Sequence, residues 1–112
     1  MAMKVTVIGL GYLGATHAVA MAEMGHEVIG IEADERKLAA LQAGKLPFYE
    51  PGLDEALTRV IASGRITFKA GHDEDSRDAQ VHFLCVGTPQ VTGSYAADTS
   101  YLFSAVDALA PY

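Results

Sequence analysis

Three glycines, Gly9, Gly11 and Gly14, stand at the spacing G-x-G-x-x-G in the stretch VTVIGLGYLGATH, residues 5–17. Glycines so placed act through the backbone: one permits a tight turn, one lets a ligand reach main-chain N–H groups, and one lets a helix pack closely on a strand. The spacing recurs by chance, so its neighbours decide its weight. Here an apolar run, Lys4–Ile8, precedes it, an alanine-rich stretch follows it, and Glu32 closes the next apolar run about 20 residues on. That context predicts a dinucleotide site. Gly9 makes the turn, Gly11 faces the pyrophosphate and Gly14 packs the helix. The free N–H groups near Tyr12 and Leu13 meet the phosphates at the positive end of the helix dipole. Glu32 is placed to accept bonds from the adenosine ribose hydroxyls and to repel a 2′-phosphate, which predicts NAD rather than NADP. Arg36 and Lys37 are the residues that would argue for NADP instead. The nearby Asp34 reads as the N-cap of the following helix.

These residues need a frame that brings strand ends together. The sequence predicts strands over 4–8, 26–32, 65–70 and 81–86. Between them it predicts helices over 15–24, 34–43 and 51–63, with Pro51 in the first turn of the last. A final helix is expected over 99–109. Strands that are nearly continuous apolar runs, alternating with helices, predict an α/β fold with a parallel sheet covered on both faces. The expected order is 3-2-1-4, a Rossmann-type doubly wound sheet reduced to about four strands where the complete arrangement has six. Residues 1–112 accordingly read as part of one nucleotide-binding domain. Strand 81–86 would then lie at a sheet edge, where it is expected to pair with another copy or to be shielded by the final helix and the loop after Pro89.

Composition narrows the function classes. The 112 residues are 50% hydrophobic and 20% charged, with a formal net charge of -6. That balance builds a folded core and leaves no basic footprint, so nucleic acid and anionic membrane surfaces are not expected partners. The short apolar run at the N-terminus is broken by glycines before it could span or be exported, which reads as a cytoplasmic protein. The single cysteine, Cys85, has no partner for an internal disulfide and reads as a small buried hydrophobe. His17, His26, His72 and His82 show no metal-ligand spacing, so no metal is expected. The acidic run 73–78 reads as a solvated surface, and the methionines, Met21 and Met24 among them, as core filler. No nucleophile is paired with a base, so no catalytic residue is assigned.

Three stretches resemble a known family: KVTVIGLGYLG with EMGHEVIGIEADERK, then LPFYEPGL, then VGTPQ with ADTSYL. They resemble the nucleotide-sugar 6-dehydrogenases, which include the UDP-glucose and GDP-mannose enzymes, and they occur in order over nearly the whole chain. The resemblance implies the N-terminal NAD-binding domain of an enzyme that oxidises a sugar C6 alcohol to a carboxylate by two hydride transfers. By position it implies that Gly9, Gly11, Tyr12, Leu13 and Gly14 line the pyrophosphate, that Glu32 and Lys37 lie at the adenosine ribose, and that Val86, Gly87, Thr88 and Pro89 lie along the cofactor. Glu32 stands where the family more often has Asp, and Thr99 where it usually has Leu. The family's catalytic cysteine, general bases and sugar-binding domain would lie outside these residues, so this chain alone is expected to be inactive. A nucleotide-sugar substrate, UDP-glucose first, and a homo-oligomer are implied for the whole enzyme. GDP-mannose, a UDP-N-acetyl sugar, or a free-standing NAD-binding module without chemistry remain the alternatives.

Overall fold

The computed structural model describes residues 2–46 and 48–112. Met1 and Pro47, the latter within the quoted LPFYEPGL loop, lie outside the described residues. The elements run β1 (Lys4–Ile8), α1 (Tyr12–Glu23), β2 (Glu27–Ile31), α2 (Glu35–Gln42), α3 (Leu53–Ala62), β3 (Ile66–Lys69), α4 (Glu74–Asp78), β4 (Val81–Leu84) and α5 (Ser100–Leu109). The strands form one parallel sheet in the order β3-β2-β1-β4, the expected doubly wound arrangement.

Alternation along each strand divides the side chains between two faces. On one face Val5, Val7, Val28, Ile66 and Phe68 pack against Ala15, Ala18, Val19 and Ala22 of α1 and Ala56, Leu57 and Val60 of α3. Alanines on α1 let that helix approach the sheet closely, so this layer is the principal core. The other face is thinner. There Ile8, Ile29 and Ile31 pack with Val86 and, from α5, Ala105 and Leu109; no residue of α5 is buried. Its lower half is polar, with fully buried Thr6 bonded to His82 through Oγ1 and Nδ1 at 2.6 Å.

Several boundaries differ from expectation. Helix α1 starts at Tyr12 rather than at residue 15, so Gly14 lies within it. The low helix propensity of glycine is overridden by a close contact: a Cβ on Gly14 would sit 1.8 Å from the Gly9 carbonyl oxygen. Pro51 is not in the first helical turn. It occupies the second position of a turn in which Gly52 has φ 82° and ψ -11°, and the Leu53 N–H donates to the Glu50 carbonyl at 3.1 Å. These are type II turn angles, which demand glycine after proline, and α3 begins only at Leu53. Strand β4 stops at Leu84 because its partner β1 stops at Ile8; the last rung is the Cys85 N–H on the Ile8 carbonyl at 2.7 Å.

Two surface expectations are corrected. Met24 is 71% exposed at the C-cap of α1, not core filler, whereas Met21 does pack against the core. The acidic run is not simply solvated, because Asp75 on α4 bonds both Lys4 of β1 at 2.8 Å and Lys69 of β3. Asp73 takes the same Lys69 ammonium at 2.7 Å and caps α4 through the Asp75 N–H. Paired with two ammonium groups, the Asp75 carboxyl is held down at about 2. This short helix therefore staples two strands across the polar half of the thinner face.

Candidate cofactor cleft

A cleft of about 1050 Å³ opens where the C-terminal ends of all four strands meet. In a doubly wound sheet this is the crevice in which ligands bind, and it forms because the helices after the neighbouring strands β1 and β4 lie on opposite faces. Its floor is the loop after β1, which turns sharply at Gly9 (φ 91°). A Cβ there would also press to 2.9 Å on the Val86 backbone nitrogen. Gly11 is different in kind. A Cβ on it would meet nothing within 4 Å, so it faces open cleft. Gly11 is also the N-cap of α1, and no side chain caps that end. The N–H groups of the first turn are thus presented to the cleft, and the turn itself carries no acidic residue. An uncapped helix start under an open glycine fits a pyrophosphate.

Of the residues singled out from the sequence, Gly9, Gly11, Tyr12, Leu13, Glu32, Lys37, Val86, Gly87 and Thr88 line this cleft together. Gly14 and Pro89 do not. Gly14 lies behind the loop, where its closeness to Gly9 sets the spacing of helix and strand. Pro89 lies beyond the lining, where its carbonyl accepts from the Asp98 N–H and helps close a small exposed hairpin bridged at Gln90 and Ala97.

Glu32 is only 9% exposed, just past the end of β2. Its Oε1 accepts from the Leu10 N–H at 3.1 Å and its Oε2 from the Asp34 N–H at 3.0 Å. The methylene that distinguishes it from aspartate carries the carboxylate back under the glycine loop. Each oxygen keeps a lone pair beyond the one engaged, so it can accept a hydroxyl as well. Asp34 caps α2 by accepting from the Arg36 and Lys37 N–H groups at 2.9 and 3.2 Å, as expected. Those bonds hold its carboxyl below the ordinary value. Across the glycine loop, the Tyr12 hydroxyl donates to Glu50 at 2.7 Å and its ring lies 4.7 Å from that of Phe48. This contact ties the LPFYEPGL loop to the cleft rim, and the Glu50 carboxylate pushes the Tyr12 phenol up.

Cys85 reaches the cleft wall, yet burial raises its thiol pKa, the opposite of what a nucleophile needs. No group of three or more potential ligands for a metal occurs among the described residues. The sequence reading missed the wall opposite the glycine loop: Ala70, Gly71 and His72 after β3, with Tyr101, Ala108 and Tyr112 at α5. These residues carry no spacing motif; only the placement of α5 over the sheet brings them in.

Residues 3–112 match the family model described as the UDP-glucose/GDP-mannose dehydrogenase family, NAD binding domain. A UDP-glucose 6-dehydrogenase of Rhizobium meliloti (strain 1021) is 40% identical over 108 residues, covering 96% of this chain and 25% of that protein. The structure of a UDP-glucose dehydrogenase from Pyrobaculum islandicum superposes with a TM-score of 0.90 at 38% identity, over 97% of this chain and 25% of that one. A GDP-mannose dehydrogenase from Pseudomonas aeruginosa, solved as a ternary complex, gives a TM-score of 0.90 at 33% identity, over 96% and 24%. The chain spans about a quarter of the length of these relatives. With its glycine loop, uncapped helix start and four-stranded order in place, the chain belongs to the UDP-glucose/GDP-mannose dehydrogenase family and corresponds to that family's NAD binding domain.

Proposed function

We propose that this chain is the cofactor-binding portion of a UDP-glucose 6-dehydrogenase, one that oxidises the C6 alcohol of UDP-glucose to a carboxylate. Two molecules of NAD, bound in turn, would each accept one hydride, with water supplying the second carboxylate oxygen. The observation that carries the reading is the open space above Gly11 beside the uncapped start of α1, with Glu32 about one strand spacing away. In it, Gly9, Gly11, Tyr12 and Leu13 hold the pyrophosphate, Gly14 sets the loop, Glu32 and Lys37 hold the adenosine ribose, and Val86, Gly87, Thr88 and Pro89 flank the far end. UDP-glucose is favoured as substrate by the names of the sequence relatives, and GDP-mannose is the second candidate on the same ground.

In this reading the thiol and bases that act on the sugar come from outside these 112 residues, since the one cleft thiol, Cys85, is pushed toward its protonated form. The isolated chain is then a binding unit without turnover, working in the cytoplasm within a homo-oligomer. Calorimetric titration tests the core of it. NAD and NADH are expected to bind weakly and NADP more weakly still, because Glu32 repels a 2′-phosphate; tighter binding of NADP would overturn the assignment. Incubating the chain with UDP-glucose and NAD is expected to yield no NADH.

A further inference from the structure

The cleft crosses the strand ends in the order β3, β2, β1, β4. An adenosine diphosphate group is laid out as phosphate, ribose, base. With the phosphates on the loop after β1 and the ribose at Glu32 after β2, the base falls at the end of β3. The lining there is built from Ala70, Gly71 and His72 after β3, with Tyr112 beside His72. We propose that His72 is a specificity-determining residue of this cleft, whose uncharged imidazole forms the wall for the base, so that protonating it releases the cofactor. The proposal rests on the NAD reading above.

Partial burial and the charges around it favour the uncharged ring. His72 is half-buried, and its Nδ1 lies 2.6 Å from the Oγ of Ser76, a fully buried side chain. Its ring lies beside that of Tyr112, tilted by 37°, with ring centroids 5.8 Å apart. The charges around it do not favour an imidazolium. Asp73 is adjacent but is engaged by the Lys69 ammonium and the Asp75 N–H, and His82 on β4 opposes a second positive charge. Burial and His82 together lower the His72 pKa below 6.5, with Asp73 opposing weakly. A base seated on the ring would remove more water from it and lower that value further. The pyrophosphate would pull the other way, but it sits two strand spacings off, about 10 Å, where salt screens it.

The sign follows from linkage. A ligand that binds the neutral form better loses affinity as pH falls through the free-state pKa of the ring, by up to about tenfold per pH unit for one proton. The test is NAD titration of the chain from about pH 8 to about pH 5, the range in which histidine titrates. His72→Phe, which keeps a ring, and His72→Asn, which keeps a partner for Ser76, are run alongside. Wild type is expected to weaken with acid and both variants to hold a nearly flat profile. ADP-ribose, which like NAD carries no phosphate monoester, should reproduce the wild-type profile and lose it in both variants. The imidazole proton resonance of His72 should report a lower pKa with ADP-ribose bound, a readout that needs no variant. Parallel pH profiles in wild type and a folded variant, or an imidazole pKa that rises on binding ADP-ribose, overturn the proposal. Failure of wild type to bind NAD or ADP-ribose at about pH 8 overturns the NAD reading and this inference with it.

Discussion

Two glycines three residues apart, Gly11 and Gly14, illustrate how one motif divides its labour. Gly14→Ala drives a methyl into the Gly9 carbonyl, 1.8 Å from its oxygen, and the neighbours are backbone that cannot give way. The expected loss is about 3 kcal/mol of stability, read as a lower denaturant midpoint. Gly11→Ala meets nothing within 4 Å in the protein. It is expected to melt as wild type does while losing at least on the order of tenfold in NAD affinity, equal to about 1.4 kcal/mol. Equal affinity in a folded Gly11→Ala chain would remove the pyrophosphate from this loop. His17 on α1 supplies the opposite case, a residue whose polarity works against the fold. Its Nε2 is buried with no hydrogen-bond partner among the described residues, and its ring stands edge-on to Phe83 with centroids 4.4 Å apart. His17→Leu keeps the apolar contact and removes the unpaired group, so chemical denaturation should show a gain of about 1 kcal/mol.

At the level of elements, the staple made by α4 has a definite pH signature. The Asp75 carboxyl is held at about 2, below its unfolded value of 3.8, chiefly by hydrogen bonds from Lys4 and Lys69. A depressed acid stabilises the fold fully above its unfolded value and loses that contribution as pH falls toward the folded one. With 41% of the side chain open to water, screening keeps the contribution of each pair small. Asp75→Asn is therefore expected to melt a few degrees below wild type near neutral pH. The two melting curves should converge as the pH drops from 3.8 to about 2; a constant offset down to that pH would mean the pairs contribute nothing. This staple was illegible in the sequence because its partners, residues 4, 69 and 75, meet only after the sheet has formed. The strands and their order were legible, since apolar runs separated by helices admit few parallel arrangements. So were the glycine loop and Glu32, whose spacing is local. The turn at Pro51 was misread because proline serves equally at a helix start and in a type II turn, and Gly52 with its positive φ decides between them. His72 and Tyr112 were missed as cleft residues for the same reason as the staple: they are contributed by distant segments that only the tertiary fold juxtaposes.

On the scale of the whole molecule, the two faces of the sheet are unequally covered, and the imbalance points to association. Strand β4 has β1 on one side and no strand on the other among the described residues. Leu84 on it is 38% exposed, and α5 leaves Tyr101, Phe103 and Val106 at 58%, 65% and 43%. Helix α5 packs on Ile8, Ile29 and Ile31 and so covers the sheet face near the cleft. An apolar strand edge with free N–H and C=O groups recruits another strand, and VHFL carries no proline, lysine, arginine, aspartate or glutamate to prevent it. The formal net charge of -6 opposes this pairing over distances of about a Debye length, and added salt relaxes that opposition. The isolated chain is thus expected to associate with rising concentration, more strongly at high ionic strength. Leu84→Lys places a charge on the exposed edge while sparing Phe83, which packs into the principal core. It should shift sedimentation-velocity profiles toward monomer without lowering the melting temperature. A wild-type chain that stays monomeric at every concentration and salt, or a Leu84→Lys chain that associates equally well, would place the contact elsewhere or remove it.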